Sequence, residues 1–157
     1  MRTLALAAVS ALALAGCGDR SDQPDVAAVG APAPPPAVLA GVDLKQPLRA
    51  LGTEPFWSVE LNGTEMIYTS PEPGELRAPQ PAPVMQGTIA IYENQVQDQE
   101  FKVTLTATEC SDGMSDRTYP LTAIVKIGDR TLTGCAATAA AIMGSGEAGA
   151  VAEAPAT

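Results

Sequence analysis

A chain of 157 residues has the size of one ordinary domain, but Ala, Gly and Pro dominate its first 47 and last 20 residues, so the part able to bury a core is shorter than the whole. Eighteen acidic residues against nine basic ones give a net charge of −9, which argues against nucleic acid as a partner, because phosphate backbones are met by basic patches. With no histidine and only three cysteines, histidine-based acid–base chemistry and the usual zinc ligand sets are excluded, and no metal or cofactor is expected.

Residues 1–16 carry Arg2 and then the uncharged apolar run Leu4 to Ala15, too short to span a bilayer as a helix and built like a secretory signal peptide. The run ends in Leu14-Ala15-Gly16-Cys17, which resembles the lipobox of bacterial lipoproteins. That resemblance implies cleavage before Cys17 and acylation of its sulfur and new amino group. With Gly18 rather than Asp after it, it also implies sorting to the outer membrane, facing the periplasm. Each buried methylene contributes about 0.8 kcal/mol, so several acyl chains anchor stably where one does not. An ordinary signal peptide followed by a structural cysteine is the alternative. From Gly18 to residue 47 there is no apolar periodicity, and Ala31-Pro32-Ala33-Pro34-Pro35-Pro36 has the composition of an extended, semi-rigid tether.

A folded domain is expected over residues 48–137. Leu48 to Gly52 reads as a short strand broken at Thr53-Glu54-Pro55; Phe56 to Leu61 then alternates, with Trp57, Val59 and Leu61 on one face and Phe56 on the other. Asn62-Gly63 before Met66 to Thr69 is a hairpin signal, because both residues tolerate positive φ. Ser70 to Pro83 holds five prolines and reads as an exposed loop. Val84 to Tyr92 resumes as a strand and Asn94 to Gln99 reads as a polar turn. Phe101, Val103, Leu105 and Ala107 alternate with polar residues, as do Tyr119, Leu121, Ala123, Val125 and Ile127 later. After Gly128-Asp129 a closing strand runs from Arg130 to Cys135 with Leu132 facing in. Residues 138–157 lack a periodic apolar face and are expected to be disordered.

With Cys17 given to lipid, Cys110 and Cys135 form an even pair in an oxidising compartment, and a disulfide is expected. Closing that loop contributes roughly 3.5 kcal/mol in the chain-entropy picture. Two free thiols, or two metal ligands, are the weaker alternatives. Six or seven short strands joined by local turns predict an all-β fold: a small antiparallel meander closed into a barrel or sandwich, with one disulfide.

Three motifs stand out: Gly52-Thr53-Glu54-Pro55-Phe56-Trp57, Cys110-Ser111-Asp112-Gly113-Met114-Ser115-Asp116-Arg117 with Tyr119-Pro120, and Gly134-Cys135-Ala136. Together these resemble a family of uncharacterised bacterial lipoproteins, sometimes found joined to a domain of the membrane-bound inhibitor of c-type lysozyme. The resemblance spans about Leu48 to Ala137 and implies compartment and fold; it brings no catalytic residues. The four-cysteine pattern of the inhibitor is not present.

As candidate site residues, Glu54, Asp112 and Asp116 are the carboxylates available for glycoside hydrolysis. The structural reading is preferred: Asp112 starts an Asx turn around Gly113, and Asp116 pairs with Arg117 or caps a local turn. Arg117 either presents its donor fork to a carboxylate or phosphate, or holds Glu54 in a structural ion pair joining two motifs. Trp57 is read as core, leaving Phe56 exposed beside Glu54 as a ligand platform. No Gly-x-Ser-x-Gly elbow or P-loop is present, so no enzyme is expected. The expectation is a lipid-anchored, non-enzymatic periplasmic binding module. The alternatives are inhibition of lysozyme or a related cationic envelope hydrolase, suggested by the acidic charge, and, more weakly, a carboxylate-based hydrolase.

Overall fold

The computed structural model describes residues 37–153. The expected signal peptide, the expected lipidation site Cys17 and the Pro-rich part of the expected tether up to residue 36 lie outside the described residues. Fourteen strands and one helix follow in chain order: β1 (Val38–Leu39), β2 (Val42–Asp43), β3 (Leu48–Thr53), β4 (Phe56–Leu61), β5 (Glu65–Thr69), β6 (Glu75–Pro79), β7 (Val84–Gln86), β8 (Ile89–Val96), β9 (Gln99–Thr106), β10 (Cys110–Ser111), β11 (Asp116–Tyr119), β12 (Leu121–Ile127), β13 (Arg130–Thr138), α1 (Ala139–Gly144) and β14 (Ala148–Ala150).

Nine of the strands form one antiparallel sheet in the order β6-β5-β4-β3-β13-β12-β9-β8-β7, curled into a half-barrel. The all-β expectation holds, and its origin is the period-two alternation. Trp57, Val59 and Leu61 on β4, Phe101, Val103 and Leu105 on β9, and Leu121, Ala123, Val125 and Ile127 on β12 all enter one core. Burying each large apolar side chain contributes about 1.5–3 kcal/mol. Beyond the ladder, the Asn94 side chain on β8 donates to the Pro79 carbonyl at the end of β6 (2.7 Å), so the two flanks of the curl meet.

Four expectations are corrected. The stretch 37–47, expected as tether, is folded: β1 and β2 pair as a miniature hairpin, and Leu39, Val42 and Leu44 join the main core. Within the expected loop Ser70–Pro83, Glu75–Pro79 pairs with β5; β6 lies at the sheet edge, where one side of the strand needs no ladder and a terminal proline is tolerated. Val84 to Tyr92 is two strands, β7 and β8, and β8 runs to Val96, so that the turn expected over Asn94–Gln99 shrinks to Gln97 and Asp98 at φ 51° and 61°. The tail expected to be disordered is ordered to residue 153. Thr138 caps α1 by accepting from Ala141 N, β14 pairs in parallel with β11, and Val151 is buried.

That tail completes a second, smaller core of Tyr119, Cys135, Ala137, Ala141 and Val151 on the far side of β13. The Glu153 carboxylate fastens it, accepting from Thr138 N (2.9 Å) and Thr138 Oγ1 (2.7 Å). The disulfide joins Cys110 to Cys135, with Cα atoms 5.4 Å apart. Among the described residues no helix is long and apolar enough to cross a membrane.

Two tyrosines inside the main core, Tyr68 and Tyr92, are fully buried with hydroxyls that meet no partner among the described residues. Burial pushes the Tyr92 phenol from 10.0 up to about 12. A folded-state value above the unfolded one means that this contribution is present below pH 10 and is lost as pH rises toward 12. Because an unpaired buried hydroxyl is a cost, Tyr92→Phe is expected to leave stability unchanged or raise it by about 1 kcal/mol in urea unfolding at pH 7, and to blunt the alkaline loss. A loss above about 1 kcal/mol would show that the hydroxyl is bonded after all.

Candidate functional site

The site begins with a tryptophan and two glycines. In the β3–β4 hairpin Gly52 stands opposite Trp57 and Thr53 opposite Phe56. A Cβ on Gly52 would lie 2.6 Å from the indole Cε2, and one on Gly134 would strike the Leu51 carbonyl and come within 2.8 Å of the indole Cζ2. The indole therefore lies against bare backbone of β3 and β13, which only glycine permits at these two places. With Trp57 turned in, Phe56 is turned out and is 59% exposed, as alternation predicts.

The bridge then brings in the second motif. Cys135, next to Gly134, is opposite Leu51 in the ladder, and its disulfide to Cys110 sets the 110–119 loop beside the hairpin. Thr53 Oγ1 donates to the Asp112 carbonyl (3.0 Å), joining the two segments directly. The loop is organised by the Asp112 carboxylate, in the Asx turn expected of it. Oδ1 accepts from Met114 N (3.0 Å) and Ser115 N (2.8 Å); Oδ2 accepts from Ser115 Oγ (2.7 Å) and Tyr119 OH (3.1 Å). Burial alone would push its pKa up, but the donors from Ser115, Met114 and Tyr119 prevail and hold it below the ordinary 3.8.

Arg117 is not where the ion-pair expectation put it. Its Nε donates to Gly146 O and its Nη2 to Ser145 O (2.6 and 3.3 Å), with Glu147 at 3.8 Å. The cause is β14, which runs parallel to β11 and carries these carbonyls to the guanidinium. Arg117 therefore ties down the tail. Glu54 is exposed at the hairpin tip and makes no ion pair among the described residues; Asp116 is also exposed, and it pairs with neither Arg117 nor a local turn in the hydrogen bonds and salt bridges of the described residues.

Two clefts flank the Thr53–Asp112 contact. One, of about 600 Å³, has as its floor the outward face of β3, β4 and β5, where Leu51, Ser58 and Thr69 are successive ladder partners; Phe56 and Pro71 border it, Asp112 and Tyr119 wall it, and Arg49 lies along it. The other, of about 330 Å³, runs between Glu54 and Met114, a residue 67% exposed. A broader recess of about 840 Å³ continues from Ser70 and Pro71 past Pro55 to Arg130. Glu54, Phe56, Trp57 and Asp112 are thus brought to one face, while Asp116 and Arg117 line neither cleft.

Arg49, Ser58, Thr69 and Ser70 were not singled out from the sequence. The available signal was the alternation itself: Asn62-Gly63 sets the β4–β5 register, which puts Ser58 across from Thr69. Comparison with protein-family models, curated proteins and solved structures finds no match to the chain.

The depressed Asp112 pKa contributes stability that is present above about pH 4 and is lost as pH falls through the folded-state value. Asp112→Asn is expected to cost about 1 kcal/mol at pH 7, since the amide keeps one acceptor in a partly solvated loop, and to flatten the decline below pH 4. Acid titration of unfolding free energy checks this; parallel curves for the two proteins would contradict it.

Proposed function

We propose that the chain is an outer-membrane lipoprotein, anchored through acylated Cys17, whose β domain is a non-enzymatic binding module facing the periplasm. The observation that carries the binding reading is convergence. Two motifs 53 residues apart or more in sequence, at Gly52–Trp57 and Cys110–Tyr119, meet through the bridge and the Thr53–Asp112 hydrogen bond. They leave two large apolar side chains, Phe56 and Met114, exposed beside clefts. A small domain gains nothing in stability from such exposure, whereas a partner gains anchors. The lipobox and the resemblance to envelope lipoproteins support the address. Asp112, with both oxygens engaged by its own loop, is poorly placed to exchange a proton with substrate, which speaks against the carboxylate-based hydrolase.

A second reading, inhibition of lysozyme or a related cationic envelope hydrolase, draws on the net charge of −9 and on Glu54, exposed and unpaired among the described residues at the rim of the smaller cleft.

Both parts are open to test with the full chain. Wild type is expected to pellet with membranes and Cys17→Ser to be released. Immobilised Cys17→Ser chain is expected to retain envelope components at least about tenfold better than the same chain carrying Phe56→Ser and Met114→Ser. Equal retention would overturn the binding face, unchanged pelleting the anchor, and failure to slow lysozyme on cell-wall substrate the second reading.

A further inference from the structure

The larger cleft has a chemistry of its own. Four arginines lie among the described residues, at 49, 77, 117 and 130. Three are committed: Arg77 bonds to Glu75 and Glu65, Arg117 to the carbonyls of the tail, and Arg130 to the Glu72 carbonyl. Arg49 alone makes no hydrogen bond among the described residues, and its Nε is covered with no acceptor. Its nearest acid, Glu60, stands at 3.8 Å with side chains 42% and 52% exposed, a separation and exposure at which an ion pair contributes little. The guanidinium can therefore take a ligand at its exposed end without giving up a hydrogen bond.

What surrounds it narrows the ligand. Ser58 and Thr69 line the same cleft with hydroxyls, Ser70 beside them donates its own to the Glu72 carbonyl, and Phe56 offers an exposed ring at the edge. Arg49 is the one cation in the lining, and Glu60 at 3.8 Å and Asp112 in the wall partly offset its charge, so selection falls to geometry and to the exposed Phe56 ring, which an organic acid meets and inorganic phosphate does not. A planar fork fits a carboxylate with two parallel hydrogen bonds. We propose that this cleft binds an organic carboxylate ligand: Arg49 takes the carboxylate, the Ser58 and Thr69 hydroxyls take its polar neighbours, and Phe56 packs on its apolar part. A peptide C-terminus and a sugar acid both present this chemistry. The inference rests on the binding-module reading and names the ligand class of the same face.

The test uses the full Cys17→Ser chain and NMR titration, following the Arg49 Nε–H and the Ser58 and Thr69 amides. The probes are an N-acetyl dipeptide with a free C-terminus and its amide, glucuronate and glucose, and inorganic phosphate. At least one acid is expected to bind about tenfold or more tightly than its neutral counterpart, and Arg49→Gln to remove that preference while leaving the thermal melt unchanged. Whichever acid binds identifies the source. Equal binding of acids and neutral analogues, no binding of either acid, tighter binding of phosphate, or a preference that survives Arg49→Gln would each overturn the ligand class. Should Phe56-dependent envelope capture persist through such a result, only the ligand class falls; loss of that capture removes the binding face beneath it.

Discussion

The structure turns on the seat of Trp57 against the backbones of Gly52 and Gly134. No side chain larger than hydrogen fits at either glycine without displacing the indole or, at Gly134, the Leu51 carbonyl. Close approach of β3 to β13 at this point carries several consequences at once. It places Cys135 opposite Leu51, and through Cys135 it draws Cys110 and the Asp112 loop to the hairpin. It also decides which of two adjacent aromatics is buried, and so leaves Phe56 at the surface. Two of the three sequence motifs therefore have a packing explanation before any function is considered: the glycines make the slot and the tryptophan fills it.

The Asp112 loop is held at three levels of strength. The bridge limits the unfolded chain by roughly 3.5 kcal/mol in the loop-entropy picture. Hydrogen bonds within the loop, and from Thr53, contribute on the order of 1 kcal/mol each. The tail adds backbone pairing of β14 with β11 and the Arg117 contacts, and Val151 seals the small core against Tyr119 and Cys135. A loop this constrained presents a preformed surface, which lowers the ordering cost of binding. The same constraint explains why Asp112 is an organiser of the loop: its oxygens already have four donors.

What was legible in the sequence follows from what leaves a side-chain signal. The alternation in Phe101–Ala107 and Leu121–Ile127, the Asn62-Gly63 hairpin, the inward Trp57, the Asx turn at Asp112 and the disulfide could all be read, because each depends on residue type at fixed spacing. The strands at Val38–Leu39 and Val42–Asp43 are too short for a period to show. Glu75–Pro79 was hidden by the prolines around it, although an edge strand tolerates them. The tail pairs through Ala148-Gly149-Ala150, where backbone does the work and the side chains say nothing; the partners of Arg117 are hidden for the same reason, being carbonyls of that tail and not the Glu54 carboxylate. The larger cleft was invisible because Arg49, Ser58 and Thr69 gather only through cross-strand register.

The seat of Trp57 is most directly tested by the unfolding free energy of Gly134→Ala, with Gly144→Ala as control, since a Cβ at Gly144 meets nothing within 4 Å. If the slot is what holds the hairpin, the added methyl costs about 3 kcal/mol or more and alters the near-ultraviolet signal of the lone tryptophan, while the control stays within about 0.5 kcal/mol of wild type. A Gly134→Ala protein as stable as the control, with its tryptophan signal unchanged, would contradict it.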